Sequence, residues 1–190
     1  GPAHLSDAYE TQEKYVALLR GKHGDTVGYK VGLTSATMQK FCGIDHPIGG
    51  VVLASRVHRS GASVRRADYG RLGLEFEIAV RLKSDVQPGP CTAETIAPHI
   101  DGVCAAIELV DDRSADYSSL DVRSLVADNS WNAGIVLSEF LTQWPDLAGA
   151  LGRATKDGAA FGEGYGRDIL GHPFNSAAWL ATQLDARGAG

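Results

Sequence analysis

Two glutamates separated by one residue stand out, because like charges so placed repel unless a cation lies between them. Side chains alternate across a β-strand, so Glu75 and Glu77 of the stretch Leu72–Leu82 point to the same face. Their Cα atoms would lie roughly 6–7 Å apart. Repulsion at this separation raises both carboxyl pKa values unless a counter-charge is present. The pattern therefore predicts a cation beside the pair, either a metal ion or a basic side chain such as Arg81 or Lys83.

A third carboxylate lies in an apolar segment. Glu108 is the one charged residue of Val103–Val110, a run that predicts a buried strand. A buried carboxylate costs several kcal/mol unless it is paired or bound to a metal. The Glu-x-Glu pair alone is better explained by neighbouring basic residues on a solvated face. With Glu108 added, an all-oxygen site for Mg²⁺ or Mn²⁺ becomes the favoured interpretation, and an internal arginine is the alternative partner of Glu108.

A lysine lies between two glycines in the short predicted strand Thr26–Gly32. If Lys30 were partly buried near a metal, its pKa would fall, and its amine could donate and accept protons. The residues alone favour the simpler alternative, in which this lysine lies at a strand edge and discourages aggregation.

The elements that position these residues are predicted from hydrophobic spacing and end signals. Helices are expected at residues 6–21, near Ala36–Phe41, from Thr92 to about Ile100, and from Pro173 to about Leu184. Further strands are expected at Val51–Val57, Leu125–Ala127 and Ala133–Leu137. The segment Pro145–Gly166 has no clear pattern. Strands outnumber helices without regular alternation, which favours an α+β domain over a doubly wound sheet.

The composition is that of an ordinary globular domain. The chain has 190 residues, 44% hydrophobic and 22% charged, so we expect one domain over residues 1–190, with Gly1-Pro2 as the remnant of a cleaved tag. A net charge of −5 argues against nucleic acid and anionic membranes as partners. No apolar run reaches the roughly 20 residues that span a bilayer. Three cysteines without CxxC spacing predict neither disulfides nor a thiolate metal site, which favours a reducing cytoplasm.

Several stretches, taken in order, give the chain a family resemblance. It resembles the 2-keto-4-pentenoate hydratase and 4-oxalocrotonate decarboxylase family, within the fumarylacetoacetate hydrolase superfamily. Any one motif is weak, but their common order from about Asp7 to Leu184 is specific. The stretches are Gly28–Ser35, Met38–Gln39, Gly43–Pro47, Glu75–Ala79, Ala106–Arg113, Val126–Asn129, Gly171–Pro173 and Trp179–Ala181.

The resemblance implies a mixed β-roll core with flanking helices and a single catalytic domain. It places an Mg²⁺ or Mn²⁺ site on Glu75, Glu77 and Glu108, and it makes Lys30 the active-site lysine, which reverses the preference from the residues alone. Val31, Asp128, Asn129 and Ser130 become candidate substrate contacts. Self-association into a homo-oligomer is also expected.

The activity implied is a metal-dependent lyase that hydrates a small anionic 2-hydroxy-2,4-dienoate, of the 2-keto-4-pentenoate type, to a 4-hydroxy-2-keto acid in aromatic-compound degradation. Three alternatives remain: decarboxylation of a 2-oxo-3-enedioate, C–C hydrolysis of an acylpyruvate, and a binding protein without turnover. The sequence departs from the family pattern in lacking segments that relatives carry at both ends. It also has Ile48 after Pro47, where many relatives have a polar or acidic residue.

Overall fold

A computed structural model describes residues 3–188, so the predicted tag remnant at residues 1–2 lies outside the described residues. The helices are α1 (Leu5–His23), α2 (Ala36–Phe41), α3 (Ala93–Ile96), α4 (Val122–Ala127) and α5 (Pro173–Ala186). The strands are β1 (Thr26–Gly32), β2 (Ile48–Leu53), β3 (Val57–Arg59), β4 (Leu72–Leu82), β5 (Ile100–Asp111), β6 (Asn132–Leu137), β7 (Leu151–Lys156) and β8 (Ala159–Tyr165). Sheets with flanking helices confirm the predicted α+β class.

The chain divides into two compact units. The first joins the residues up to Glu77 with Ala106–Ser138, and the second joins Ile78–Ala105 with the residues from Glu139 onward. The single catalytic domain therefore stays a prediction. Every residue singled out above for chemistry belongs to the first unit.

Two sheets supply the strands of the first unit. Antiparallel β1 and β2 pair so that Lys30 lies opposite Gly50. The larger sheet has the order β3-β6-β5-β4 and is mixed, because β3 runs parallel to β6 while β5 runs antiparallel to it. This order places β4, which carries the Glu-x-Glu pair, beside β5, which carries Glu108.

An apolar cluster holds α1 and α4 together in the first unit. Its buried members are Ala8, Tyr9, Ile48, Leu125 and Val126. Ile48, at 1% exposure, fills this core, so its side chain serves packing. A buried polar side chain, Gln12 of α1, donates its amide to the carbonyls of Gly49 and Val126 at 2.9 and 2.7 Å. Helix α1 therefore fixes the backbone of β2 as well as burying apolar surface.

The second unit has its own core and a hairpin. The core contains Ile96, Ile100, Val103, Leu147, Phe174 and Ala178. Strands β7 and β8 form an antiparallel pair joined by Asp157-Gly158, both with positive φ. An Asp-Gly pair between two strands is a strong hairpin signal, and it was available in the segment for which no element was predicted.

Two predicted strands differ from the structure. The strand at Leu125–Ala127 is wrong, since these residues end helix α4, whose first turn is capped by the Asp121 carboxylate accepting from the Arg123 amide at 2.9 Å. The predicted strand Val51–Val57 is two strands, Ile48–Leu53 and Val57–Arg59, interrupted by one helical turn. Among the described residues, no helix combines the length and apolar character needed to span a bilayer.

Candidate active site

Three carboxylates from two neighbouring strands meet in the first unit. Glu75 and Glu77 of β4 and Glu108 of β5 each offer an oxygen atom, and these atoms lie within 4.8 Å of one another. Glu75 is exposed, Glu77 is half-buried, and Glu108 is 2% exposed. The Arg81 guanidinium, considered above as their counter-charge, instead pairs with Asp101 at 2.7 Å. The carboxylates therefore lack the arginine partner that the solvated-face interpretation needs.

Lys30 supplies the cation that approaches this cluster. Its Nζ lies 3.1 Å from Oε2 of Glu108 and 3.5 Å from the Ser130 carbonyl oxygen, and its side chain is 10% exposed. The lysine stem crosses β2 at Gly50, where an added Cβ would lie only 3.1 Å from the stem carbons. The missing side chain at Gly50 therefore gives Lys30 its path, and the edge-lysine alternative does not describe this buried amine.

The electrostatics of the cluster show too little positive charge. Burial raises the pKa of Glu77 to about 8, against the opposing charge of Lys30 and with repulsion from Glu108 and Glu75 adding to it. Burial likewise raises the pKa of Glu108. Burial alone would lower the pKa of Lys30, but the three surrounding carboxylates together raise it above its ordinary value. One ammonium is thus shared among three carboxylates, and a further cation would relieve their repulsion.

A left-handed turn forms the wall behind Lys30. Asn129, Ser130 and Trp131 all have positive φ, between 49° and 59°. Such conformations in non-glycine residues cost on the order of 1 kcal/mol each and must be held by their surroundings. The Asn129 side chain accepts from the Val51 amide at 2.7 Å and donates to the Val51 carbonyl at 2.9 Å. The Ser130 hydroxyl donates to the Gly49 carbonyl at 3.0 Å.

The proposed substrate contacts are located as follows. Asn129 and Ser130 are buried, and their side chains bind the backbone of β2. Asp128 is half-buried and pairs with Arg113. Val31 lies beside Lys30 on β1, opposite Gly49. The segment adjoins Lys30 as expected, and its visible contribution is the Ser130 carbonyl, so substrate contact by these four residues stays a prediction.

One polar neighbour of the cluster, Asn132, was not predicted from the sequence. The Asn132 amide donates to Oε1 of Glu108 at 2.8 Å. In the sequence, Asn132 merely precedes an apolar strand, and nothing in its spacing links it to Glu108. A polar residue at the start of a strand, two positions after Asp128-Asn129-Ser130, was the available signal, and it is a weak one.

The residues fit a hard divalent cation. Oε2 of Glu108 is buried and lies 3.1 Å from the Lys30 amine, and no other donor reaches it among the described residues. Three carboxylate oxygens within 4.8 Å of one another are a donor set that Mg²⁺ and Mn²⁺ favour.

Comparison with known proteins agrees with this α+β fold. No protein-family model matches the chain. A 2-hydroxyhexa-2,4-dienoate hydratase of Comamonas testosteroni is 31% identical over 188 residues, covering 97% of this chain and 71% of the relative. A 2-keto-4-pentenoate hydratase of Burkholderia vietnamiensis is 35% identical over 171 residues, covering 87% of this chain and 64% of the relative.

Solved structures agree with the sequence relatives. The 4-oxalocrotonate decarboxylase of Pseudomonas putida G7, complexed with magnesium and adipate, superposes with a TM-score of 0.88 at 27% identity, over 97% of this chain and 71% of that chain. A fumarylpyruvate hydrolase of Pseudomonas aeruginosa, with Mn²⁺ and pyruvate, shares the fold alone, with a TM-score of 0.53 at 15% identity over 82% and 70% of the two chains.

The chain shares its fold with proteins named as fumarylacetoacetate hydrolase family members and fumarylpyruvate hydrolases. By its sequence, the chain belongs to the 2-keto-4-pentenoate hydratase and 4-oxalocrotonate decarboxylase family, which confirms the resemblance drawn from its motifs.

Proposed function

We propose that the protein is a metal-dependent lyase that hydrates a small 2-hydroxy-2,4-dienoate to a 4-hydroxy-2-keto acid. The observation that carries the proposal is the convergence of Glu75, Glu77 and Glu108 beside the buried amine of Lys30. The hydratase relatives, at 31% and 35% identity, support the same chemistry.

The three glutamates would hold the metal, with Mg²⁺ or Mn²⁺ as the proposed ion. When bound, the metal would chelate the substrate through its C1 carboxylate and C2 oxygen, and its positive charge would stabilise negative charge on the C2 oxygen. A structure neighbour of 27% identity that carries magnesium supports this ion class.

Lys30 would move the protons of the reaction. Protonation of the dienol at C5 and loss of its hydroxyl proton would give the conjugated 2-keto-3-enoate, whose C4 is electrophilic. A water would then add to C4 while C3 takes a proton, so that one water is consumed in all. Glu108 and the Ser130 carbonyl hold the amine of Lys30 in place. This amine, or a water bound to it, would donate and accept the protons of the reaction.

Decarboxylation of a 2-oxo-3-enedioate is the second candidate, favoured by the superposition on 4-oxalocrotonate decarboxylase with a TM-score of 0.88. The electron pair left by departing CO₂ would pass through the conjugated alkene to the C2 oxygen, and a metal held by the same three glutamates would stabilise the charge there. The acylpyruvate hydrolase alternative needs a general base for water, and the ligand cluster found among the described residues contains no histidine. Binding without turnover is the remaining alternative.

The deciding experiment combines calorimetry and product analysis. Glu77→Gln should weaken Mn²⁺ binding by more than the roughly 10–100-fold that loss of an outer-shell partner causes. Glu163→Gln, on the exposed strand β8, is the matched control and should bind as the parent does. With metal, the protein should bleach the ultraviolet absorbance of 2-hydroxypenta-2,4-dienoate.

Release of CO₂ from 2-oxo-3-hexenedioate, without hydration of dienoates, would instead establish the decarboxylase. Equal Mn²⁺ affinity in Glu77→Gln and the parent would reject the metal site and favour a non-catalytic protein. A homo-oligomeric state and a cytoplasmic location are also proposed, supported by the family resemblance.

A further inference from the structure

The two oxygens of Glu108 have different surroundings. Oε1 accepts the Asn132 amide at 2.8 Å. Oε2 faces the Lys30 amine at 3.1 Å. A carboxylate rotates about its last bond unless something distinguishes its oxygens, and the amide of Asn132 does so here. The Asn132 amide therefore holds the Glu108 carboxylate so that Oε2 faces Lys30 and the other carboxylates.

A β-bulge brings Asn132 to this face. Glu108 pairs with Ile135 and Leu109 with Gly134, but Val110 pairs with Asn132, which leaves Ala133 as an extra residue. Paired residues of antiparallel strands share a face, so Asn132 shares the face of Val110 and Glu108. Without the extra residue, Asn132 would pair with Asp111 and point to the opposite face. The bulge thus turns this amide toward Glu108.

Gly134 lies next to the bulge. Its φ is +153°, and an added Cβ would lie 2.9 Å from the Arg56 carbonyl oxygen. A side chain there would force the neighbouring backbone to move. The strand that carries the bulge is therefore packed closely against the backbone at Arg56.

We propose that Asn132 is a positioning residue for the metal site: its amide, turned inward by the bulge at Ala133, orients Glu108 so that Oε2 faces the metal and Lys30. The inference rests on the proposed function, because it takes Glu108 as a metal ligand. Donors that hold metal ligands in place typically contribute 10–100-fold to affinity. Asn132 acts through Glu108, so its loss changes metal binding before any substrate is present.

The test is Mn²⁺ titration of the substrate-free protein by calorimetry. Asn132→Leu removes the donor and keeps the branched side-chain shape, and the dissociation constant of this variant should rise about 10–100-fold. Asn132→Ser, whose hydroxyl is too short to reach Glu108, should show the same loss if the leucine variant folds poorly. Asn175→Leu is the matched control, because it removes an exposed asparagine that donates to the Leu170 carbonyl at the same 2.8 Å. Circular dichroism without metal checks that each variant is folded.

The outcomes separate the two proposals. If the parent binds Mn²⁺, Glu77→Gln loses binding, and both Asn132 variants bind within about threefold of the parent, well under the expected loss, the positioning role is overturned and the proposed function stands. If the parent does not bind Mn²⁺, or Glu77→Gln binds as the parent does, the metal site fails and this inference fails with it. A loss confined to the Asn132 and Glu77 variants, with Asn175→Leu unchanged, supports both.

Discussion

Glu108 and Asp112 are buried carboxylates four residues apart, yet their surroundings differ in kind. Asp112, at 7% exposure, accepts from Arg71 Nε at 2.8 Å, from the Tyr117 hydroxyl at 2.9 Å and from the Ser114 amide at 2.9 Å. Glu108, at 2% exposure, accepts the Asn132 amide and shares the Lys30 ammonium with Glu75 and Glu77.

The pKa values of these two carboxyl groups move in opposite directions because their partners differ. Burial alone would raise the pKa of Asp112, but the hydrogen bonds and charge of Arg71, with those of Tyr117 and Ser114, hold it below its ordinary value. Burial raises the pKa of Glu108, and its partners do not overcome it. A fully satisfied carboxylate serves the fold, whereas an under-satisfied one is available to a ligand.

Replacement of Lys30 should give the largest effect on activity. In Lys30→Met the cluster loses its proton-transfer group, so kcat for dienoate hydration should fall by about 10²–10⁴-fold. Mn²⁺ affinity should not fall, because removal of an ammonium leaves the carboxylates more attractive to a cation. Stopped-assay kinetics and calorimetry measure the two quantities. Retained kcat would remove Lys30 from the reaction.

Replacement of Asp112 should destabilise the fold and leave Mn²⁺ binding unchanged. Asp112→Asn loses hydrogen bonds to a charged acceptor and should lower the free energy of unfolding by roughly 1–3 kcal/mol. Asp68→Asn is the control, since its pair with Arg65 is exposed and should contribute well under about 1 kcal/mol. Urea unfolding measures both. Weaker Mn²⁺ binding in folded Asp112→Asn would contradict the separation of the two regions.

The smallest effect concerns pH. Glu77 has an ordinary pKa of 4.5 and a folded pKa of about 8, so the folded state binds the extra proton between these values. Stability contributed by this protonated form is present below pH 4.5 and is lost as pH rises to 8. The melting temperature of the metal-free protein should therefore fall from pH 5 to pH 8, and that of Glu77→Gln should fall less.

Mn²⁺ should reverse this trend. Binding to the ionised carboxylates stabilises the folded state by about 2.7 kcal/mol at a hundred times the dissociation constant, and more strongly at pH 8 than at pH 6 because protons no longer compete. Asp112, whose pKa lies below its ordinary 3.8, stays ionised throughout this range. Scanning fluorimetry across pH, with and without Mn²⁺, tests both statements; a metal-free melting temperature that rises with pH would contradict them.

The core of the candidate site could be predicted because its signals are local. Glu75 and Glu77 share a strand face by spacing, and Glu108 is conspicuous in an apolar run. Whether the three carboxylates meet depends on the order of strands in the sheet, which residue spacing does not specify. The family resemblance, based on the order of the motifs, predicted that they meet. Lys30 shows the same limit, since its burial depends on Gly50 of a different strand.

The remaining misses have physical causes. Leu125–Ala127 is apolar enough for a strand, and the Asp121 cap decides for helix. The role of Asn132 depends on one extra residue in β6, and a shift of one position reverses the direction of every side chain. Ile48 was noted as a departure from relatives, and the structure shows it filling the core between α1 and α4.

The left-handed turn has a consequence for protein engineering. Asn129 and Ser130 bind the main-chain groups of Val51 and Gly49 in β2, and the missing side chain of Gly50 leaves space for the Lys30 stem. A grafting experiment that moved three glutamates and a lysine onto another scaffold would carry none of this. A designer would need to copy the Gly49–Val51 backbone together with the left-handed turn that is hydrogen-bonded to it. Only then could the four charged side chains adopt the same positions.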